Sequence, residues 1–92
     1  MRAVVITRPG PPDVLEVRDV PRPVPGDHDV LVRVHATAVN RADLLQRAGH
    51  YPAPEGAPQD IPGLEYAGVV EEVGAAVTRW RGGERVMGLV GG

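Results

Sequence analysis

The sequence predicts a mostly β fold, a small, twisted and partly open barrel with one short helix, and three observations carry that prediction. The 92 residues include 12 Gly and 10 Pro. Proline is excluded from helix interiors and central strands, so the chain reads as short extended runs broken by sharp turns. The apolar vocabulary is Val, Leu and Ala, with no Phe and only Trp80, Tyr51 and Tyr66 as aromatics, and branched aliphatic side chains suit a pleated, half-buried surface. About six strand-like runs surround a single helical one, the pattern of a small barrel. A chain of this length forms one domain and buries roughly 60 to 65% of its unfolded surface.

Arg2 to Thr7 reads as a first strand and Val14 to Val20 as a second, separated by the turn formers Arg8-Pro9-Gly10-Pro11-Pro12-Asp13. Pro25-Gly26-Asp27 predicts a type II turn, because Pro presets φ and Gly accepts the left-handed position. From Val30 to Val39 the residues Val30, Val32, Val34, Ala36 and Ala38 fall on one face and Arg33, His35 and Thr37 on the other, the clearest strand pattern in the chain. Asn40 then precedes Arg41 to Ala48, a run of good helix formers with Asp43 in its first turn and Gly49 at its end. Asn caps a helix and Gly stops one. His50 to Pro62 holds four prolines and almost no apolar periodicity, a loop long enough to carry function. Leu64 to Val73 returns to a strand, Gly74 to Thr78 and Trp80 to Gly83 are breakers, and Glu84 to Val90 is the last strand. Two glycines after a strand leave a sheet edge uncovered, and the expectation is that Gly92 ends a truncated chain with apolar surface left open near Gly91.

Composition narrows the function classes. The formal charge of -2, with no cluster of Arg interleaved with aromatics, argues against nucleic acid. The opening apolar run is too short for a signal sequence or a membrane span, so the cytoplasm is the expected compartment and no membrane partner is expected. There is no Cys, which removes disulfides, thiolate nucleophiles and Cys-based zinc sites. His28, His35 and His50 are scattered without paired spacing, so no metal site is expected.

Three segments carry a more specific signal. The run from Val39 through Asn40, Asp43, Leu45 and Gly49 to Tyr51 resembles a signature of zeta-crystallin-like quinone oxidoreductases. Pro62-Gly63-Leu64-Glu65-Tyr66-Ala67-Gly68-Val69-Val70 is similar to the Gly-His-Glu segment of medium-chain alcohol dehydrogenases, and Gly82-Gly83-Glu84-Arg85-Val86 to their Gly-Asp-Arg-Val. The resemblance spans essentially the whole chain. It implies the GroES-like catalytic domain of a medium-chain dehydrogenase/reductase, residues 1–92, incomplete and followed in the whole protein by a doubly wound NADP-binding domain. No Gly-x-Gly-x-x-Gly stands in these residues, so NADPH would be bound mainly by that absent domain.

The zinc-dependent relatives place a Cys at the position of Asn40 and a His at that of Leu64. Amide and alkyl groups do not replace thiolate and imidazole around zinc, and the resemblance therefore implies a zinc-free enzyme passing hydride from NADPH to a quinone or activated enone. It assigns Asn40 and Tyr51 to catalysis and cofactor contact, and Tyr51 with Asp43 to substrate binding. Plainer roles stand beside these: Asn40 as a helix cap, Tyr51 as a buried loop anchor, Asp43 as a favourable first-turn charge. Glu65 falls beside the former zinc position and is expected to be a structural hydrogen-bond acceptor. Leu45 replaces an aromatic of some relatives, and Glu84 a commoner Asp. Full-length relatives are expected to be homodimers, while the 92-residue piece alone is expected to be inactive. Two rivals remain open. One is a stand-alone GroES-like binding module, since a co-chaperone shares the barrel. The other is an enoyl reductase domain of a polyketide synthase, which usually reads Asn-Phe-Arg-Asp where this chain has Asn40-Arg41-Ala42-Asp43.

Overall fold

A computed structural model describes residues 1–91. Strand β1 (Arg2–Ile6) pairs antiparallel with β2 (Leu15–Asp19), Val4 opposite Val17 and Ile6 opposite Leu15. Between them Pro12–Val14 forms one 3-10 turn, with Pro11 and Pro12 presetting the extended and helical φ values it needs. A second sheet has the order β3 (Val30–Thr37), β4 (Glu65–Val73), β5 (Arg85–Leu89), all antiparallel, with β4 in the middle. Among the described residues the fold is thus mostly β with one α-helix, as the sequence predicts, but with five strands rather than about six. The barrel is open, its strands divided between two sheets.

Helix α1 (Arg41–Ala48) begins at Asn40, whose φ of -112° and ψ of 162° are those of an N-cap, and ends at Gly49 with φ 89°. In that left-handed conformation the Gly49 N–H reaches back to the Gln46 carbonyl at 3.0 Å, a closure a Cβ would strain. The helix and the loop after it join the two sheets. Arg47 exchanges bonds with Gly10, its carbonyl accepting the Gly10 N–H and its own Nε donating to the Gly10 carbonyl, both at 3.0 Å. Gln46, buried, donates to the Gln59 carbonyl at 3.3 Å. Gln59 Nε2 in turn reaches the carbonyls of Ala53 (3.1 Å) and Ala57 (3.3 Å), tying the proline-rich loop to itself. The far end of that loop is fixed by the Ile6 N–H on the Asp60 carbonyl at 2.8 Å. A loop that cannot form a ladder satisfies its carbonyls with side-chain amides instead.

Two local expectations are corrected. The turn before β3 is not type II, because Gly26 is absent from the glycines of positive φ. Gly26 opens the turn instead: its carbonyl accepts the Asp29 N–H at 3.1 Å and its own N–H donates to the Asp29 carboxylate at 3.0 Å. The Asp29 side chain thus fixes a turn centred on Asp27 and His28. The clean alternation along β3 also fails, since register shifts lie between Leu31 and Val32 and between Val34 and Ala36. The second makes His35 an extra residue, and Val34 is left 53% exposed.

Buried apolar side chains among the described residues are Val5, Val14, Ala53 and Val70. Val and Ala carry the packing as expected, while Leu does not share it. No helix among the described residues is long and apolar enough to cross a membrane.

Candidate functional site

Asn40 lies on the short link between the end of β3 and the start of α1, and three polar contacts converge there. Asp43, at the third position of α1, accepts the Asn40 backbone N–H on Oδ2 at 2.7 Å, the carboxylate half of a capping box. Glu65, the first residue of β4, accepts from Asn40 Nδ2 at 3.2 Å. Thr37 Oγ1, at the end of β3, donates to the Glu65 carbonyl at 2.7 Å and ties the two strands together where their ladder ends. Glu65 is therefore the hydrogen-bond acceptor expected of it, and its partner is Asn40 itself.

Beside this corner lies a cleft of about 210 Å³ walled by Val4 and Leu15 of the hairpin, Val39, Asp43 and Leu44 of the link and helix, and Gly63. Its walls are chiefly apolar. The second carboxylate oxygen of Asp43, Oδ1, is buried without a hydrogen-bond partner. A buried carboxylate oxygen left unpaired carries a desolvation cost that a ligand donor would relieve.

Tyr51 is not part of this corner. It follows α1 at the opposite end, so an eight-residue helix, about 12 Å long, stands between it and Asn40. Tyr51 is 42% exposed, and among the described residues no hydrogen bond holds its hydroxyl. The buried-anchor role does not describe a side chain so open. Thus the structure brings Asn40 and Asp43 together, adds Glu65 and Thr37, and sets Tyr51 apart.

Electrostatically the corner is acidic, with the Asp43 carboxylate on the Asn40 backbone N–H and the Glu65 carboxylate on its side-chain amide. The nearby Arg47 spends its Nε on the Gly10 carbonyl. Farther off, Arg22 is raised above its ordinary pKa, chiefly by its hydrogen bond to Glu71 and then by Glu72. The donor set at Asn40 does not fit zinc: the amide nitrogen is engaged as a donor, Leu64 is alkyl, and no group of three or more His, Asp or Glu converges among the described residues.

The chain matches the family model of the alcohol dehydrogenase GroES-like domain over residues 26–90. It is 41% identical over 87 residues to a quinone oxidoreductase of Homo sapiens, covering 94% of this chain and 26% of that protein. The solved quinone oxidoreductase of Coxiella burnetii superposes with a TM-score of 0.87 at 31% identity, over 99% of this chain and 30% of that one. A mycobacterial protein solved in complex with NADPH superposes at 0.79 with 37% identity, over 95% and 27%. The chain spans about a quarter of the length of the curated relatives it matches.

Proposed function

The chain belongs to the alcohol dehydrogenase GroES-like domain family, and we propose that it is the amino-terminal part of a zinc-independent reductase that passes hydride from NADPH to a quinone or activated enone. The observation that carries this reading is the Asn40 corner. Where a catalytic metal would need thiolate and imidazole, this chain has Asn40, its backbone N–H on the Asp43 carboxylate and its side-chain amide on the Glu65 carboxylate, beside an apolar cleft. The likeness to quinone oxidoreductases and to a protein solved with NADPH supports the choice of acceptor and cofactor.

A reduced nicotinamide, when bound, supplies the hydride. Asn40 would hold the ring's polar edge, and the apolar wall formed by Val39 and Leu44 would exclude water from it. Asp43, whose Oδ1 is buried without a hydrogen-bond partner, lies on the wall of the cleft. Asp43 and Glu65 also set the sign of the local field. Two carboxylates favour positive charge arising beside Asn40 and disfavour an oxyanion there. At the far end of α1 the Tyr51 hydroxyl, which makes no hydrogen bond among the described residues, is the candidate donor for a substrate oxygen. Nucleotide binding itself, and the contacts of a homodimer, fall to sequence beyond these residues.

The test is to express the whole gene product and follow loss of NADPH absorbance with 1,4-benzoquinone, with and without a strong chelator. Rapid oxidation indifferent to chelator supports the reading. An inert product, or one abolished by chelator and restored by zinc, refutes it.

A further inference from the structure

Strand β5 is the last of its sheet, and among the described residues nothing pairs with its outer flank. At the two ends of the β4–β5 ladder the Val90 N–H donates to the Leu64 carbonyl at 2.8 Å and the Val70 N–H to the Glu84 carbonyl at 2.9 Å. Bonded positions alternate along an antiparallel strand. Val86 and Gly88 therefore turn their backbone groups toward β4, while Arg85, Met87 and Leu89 turn theirs outward. Two of those outward positions also carry the most exposed large apolar side chains of the sheet, Met87 at 84% and Leu89 at 82%.

Met87 stands opposite Ala67, and Ala67 opposite Ala36, so three apolar side chains cross the sheet on one face. The small residues beside the large one leave a hollow of about 200 Å³ whose walls include Ala36, Ala67 and Met87. A strand edge with free backbone groups and apolar side chains invites a further strand, and native proteins blunt such edges with Pro, Lys or several charges, or cover them. β5 reads Arg-Val-Met-Gly-Leu, with one charge and no Pro. It is an edge of the kind that is covered.

We propose that this flank is a docking strip for the sequence that follows Gly92 in the whole protein, which turns back and adds a strand antiparallel to β5, setting an apolar side chain against Met87. The curated relatives are long enough to supply such a segment, since this chain covers 26% of one of them. β5 keeps its ladder through Val90, directly before Gly91-Gly92, and Gly-Gly is a pair that closes tight hairpin turns. A strand tethered by a few residues competes at an effective concentration of roughly millimolar, which favours it over a second copy or a separate partner. The pairing is independent of the reaction the whole protein performs.

Hydrogen exchange of the whole gene product, labelled with nitrogen-15, tests it. The Met87 and Leu89 amides, which face away from β4, are expected to exchange at least about a hundredfold more slowly than in an unstructured peptide. Cross-strand nuclear Overhauser contacts should join Met87 to a residue within about a dozen positions after Gly92. Exchange at the unstructured rate overturns the proposal, as do contacts that lead to another part of the chain. Protection lost on dilution marks a second copy and overturns it too, and so does a gene product that ends at Gly92. Met87→Gln, which keeps the length of the side chain and changes its polarity, should lower the melting temperature of the whole protein because an apolar contact is lost; an unchanged melting temperature means that the strip faces water, and refutes the docking.

Discussion

Replacing Gly68 by Ala should cost more stability than any other single methyl added to this sheet, and the cost can be worked from the geometry. Gly68 is buried in the middle of β4, opposite Val34 at the bulge that makes His35 an extra residue. A Cβ there would stand 2.9 Å from both the Arg33 carbonyl carbon and Val32 Cγ1, with the Arg33 carbonyl oxygen nearer still. Carbon atoms in ordinary contact lie about 3.5 to 4.0 Å apart, so β3 must retreat by about an ångström, and the obstacle is backbone that no rotamer can relieve. Overpacking a rigid site costs about 1 to 3 kcal/mol, and a backbone obstacle puts Gly68→Ala near 3 kcal/mol on that scale. Urea unfolding followed by Trp80 fluorescence and far-ultraviolet circular dichroism should show the midpoint falling with the slope unchanged. Gly82→Ala is the control, since its Cβ would meet nothing closer than the Val70 carbonyl oxygen at 4.0 Å, and it should stay within about 0.5 kcal/mol of the parent. A Gly68→Ala variant as stable as Gly82→Ala would refute the close approach of β3 and β4 on which the Asn40 corner hangs.

Three further outcomes are expected. Gly49→Ala forces a side chain into φ 89° and sets its Cβ 3.0 Å from Pro9, so it should cost about 1 kcal/mol or more in the same unfolding assay; no loss would mean that the helix ends otherwise. Tyr51→Phe removes an exposed hydroxyl, so stability should hold within about 0.5 kcal/mol while KM for the quinone rises several-fold; an unchanged KM would remove Tyr51 from the site. Arg22 bridges Glu71 and Glu72 at 3.2 and 3.1 Å on the surface. Its pKa is raised above an already strongly basic value, so the contribution is fully present at both pH 6 and pH 9 and is lost only as pH climbs through the folded value. Arg22→Gln should therefore lower the unfolding midpoint only at low salt and equally at pH 6 and pH 9; a difference between the two pH values would contradict the assignment of charge.

What the sequence revealed and what it hid divide along the distance between interacting residues. Helix α1 was legible because its signals are adjacent: Asn40 before it, Asp43 inside the first turn, Gly49 after it. The five strands fall within a residue or two of their apolar runs for the same reason. The turn at Gly26 was misread because the Asp29 side chain, three residues on, competes for the Gly26 N–H. The two register shifts between β3 and β4, one with His35 extra in β3 and one with Glu71 extra in β4, left no mark in the alternation of Val30, Val32, Val34 and Ala36, since they arise from pairing rather than from the strand itself. Of the site, Asn40 and Asp43 were visible as neighbours three apart. The bond from Asn40 to Glu65 spans 25 residues. Its one sequence trace is the acid that stands directly before the apolar stretch Tyr66 to Val70. Tyr51 was grouped with Asn40 by a shared motif, and a helix keeps them apart.

The side-chain contacts that hold Asn40 are polar. Val5, Val14, Ala53 and Val70 are the buried apolar side chains among the described residues, and none of them bounds the corner or lines the adjoining cleft. What holds Asn40 is directional: a capping carboxylate, a carboxylate on the central strand, a hydroxyl joining two strand ends, and one glycine that lets those strands approach. Directional contacts fix angles that nonspecific packing leaves free, and an amide must be oriented as well as placed if it is to tell a donor from an acceptor. A small core and a polar corner are therefore compatible in one chain. Packing keeps the sheets folded, while polar contacts from β4 and α1 hold Asn40 in place.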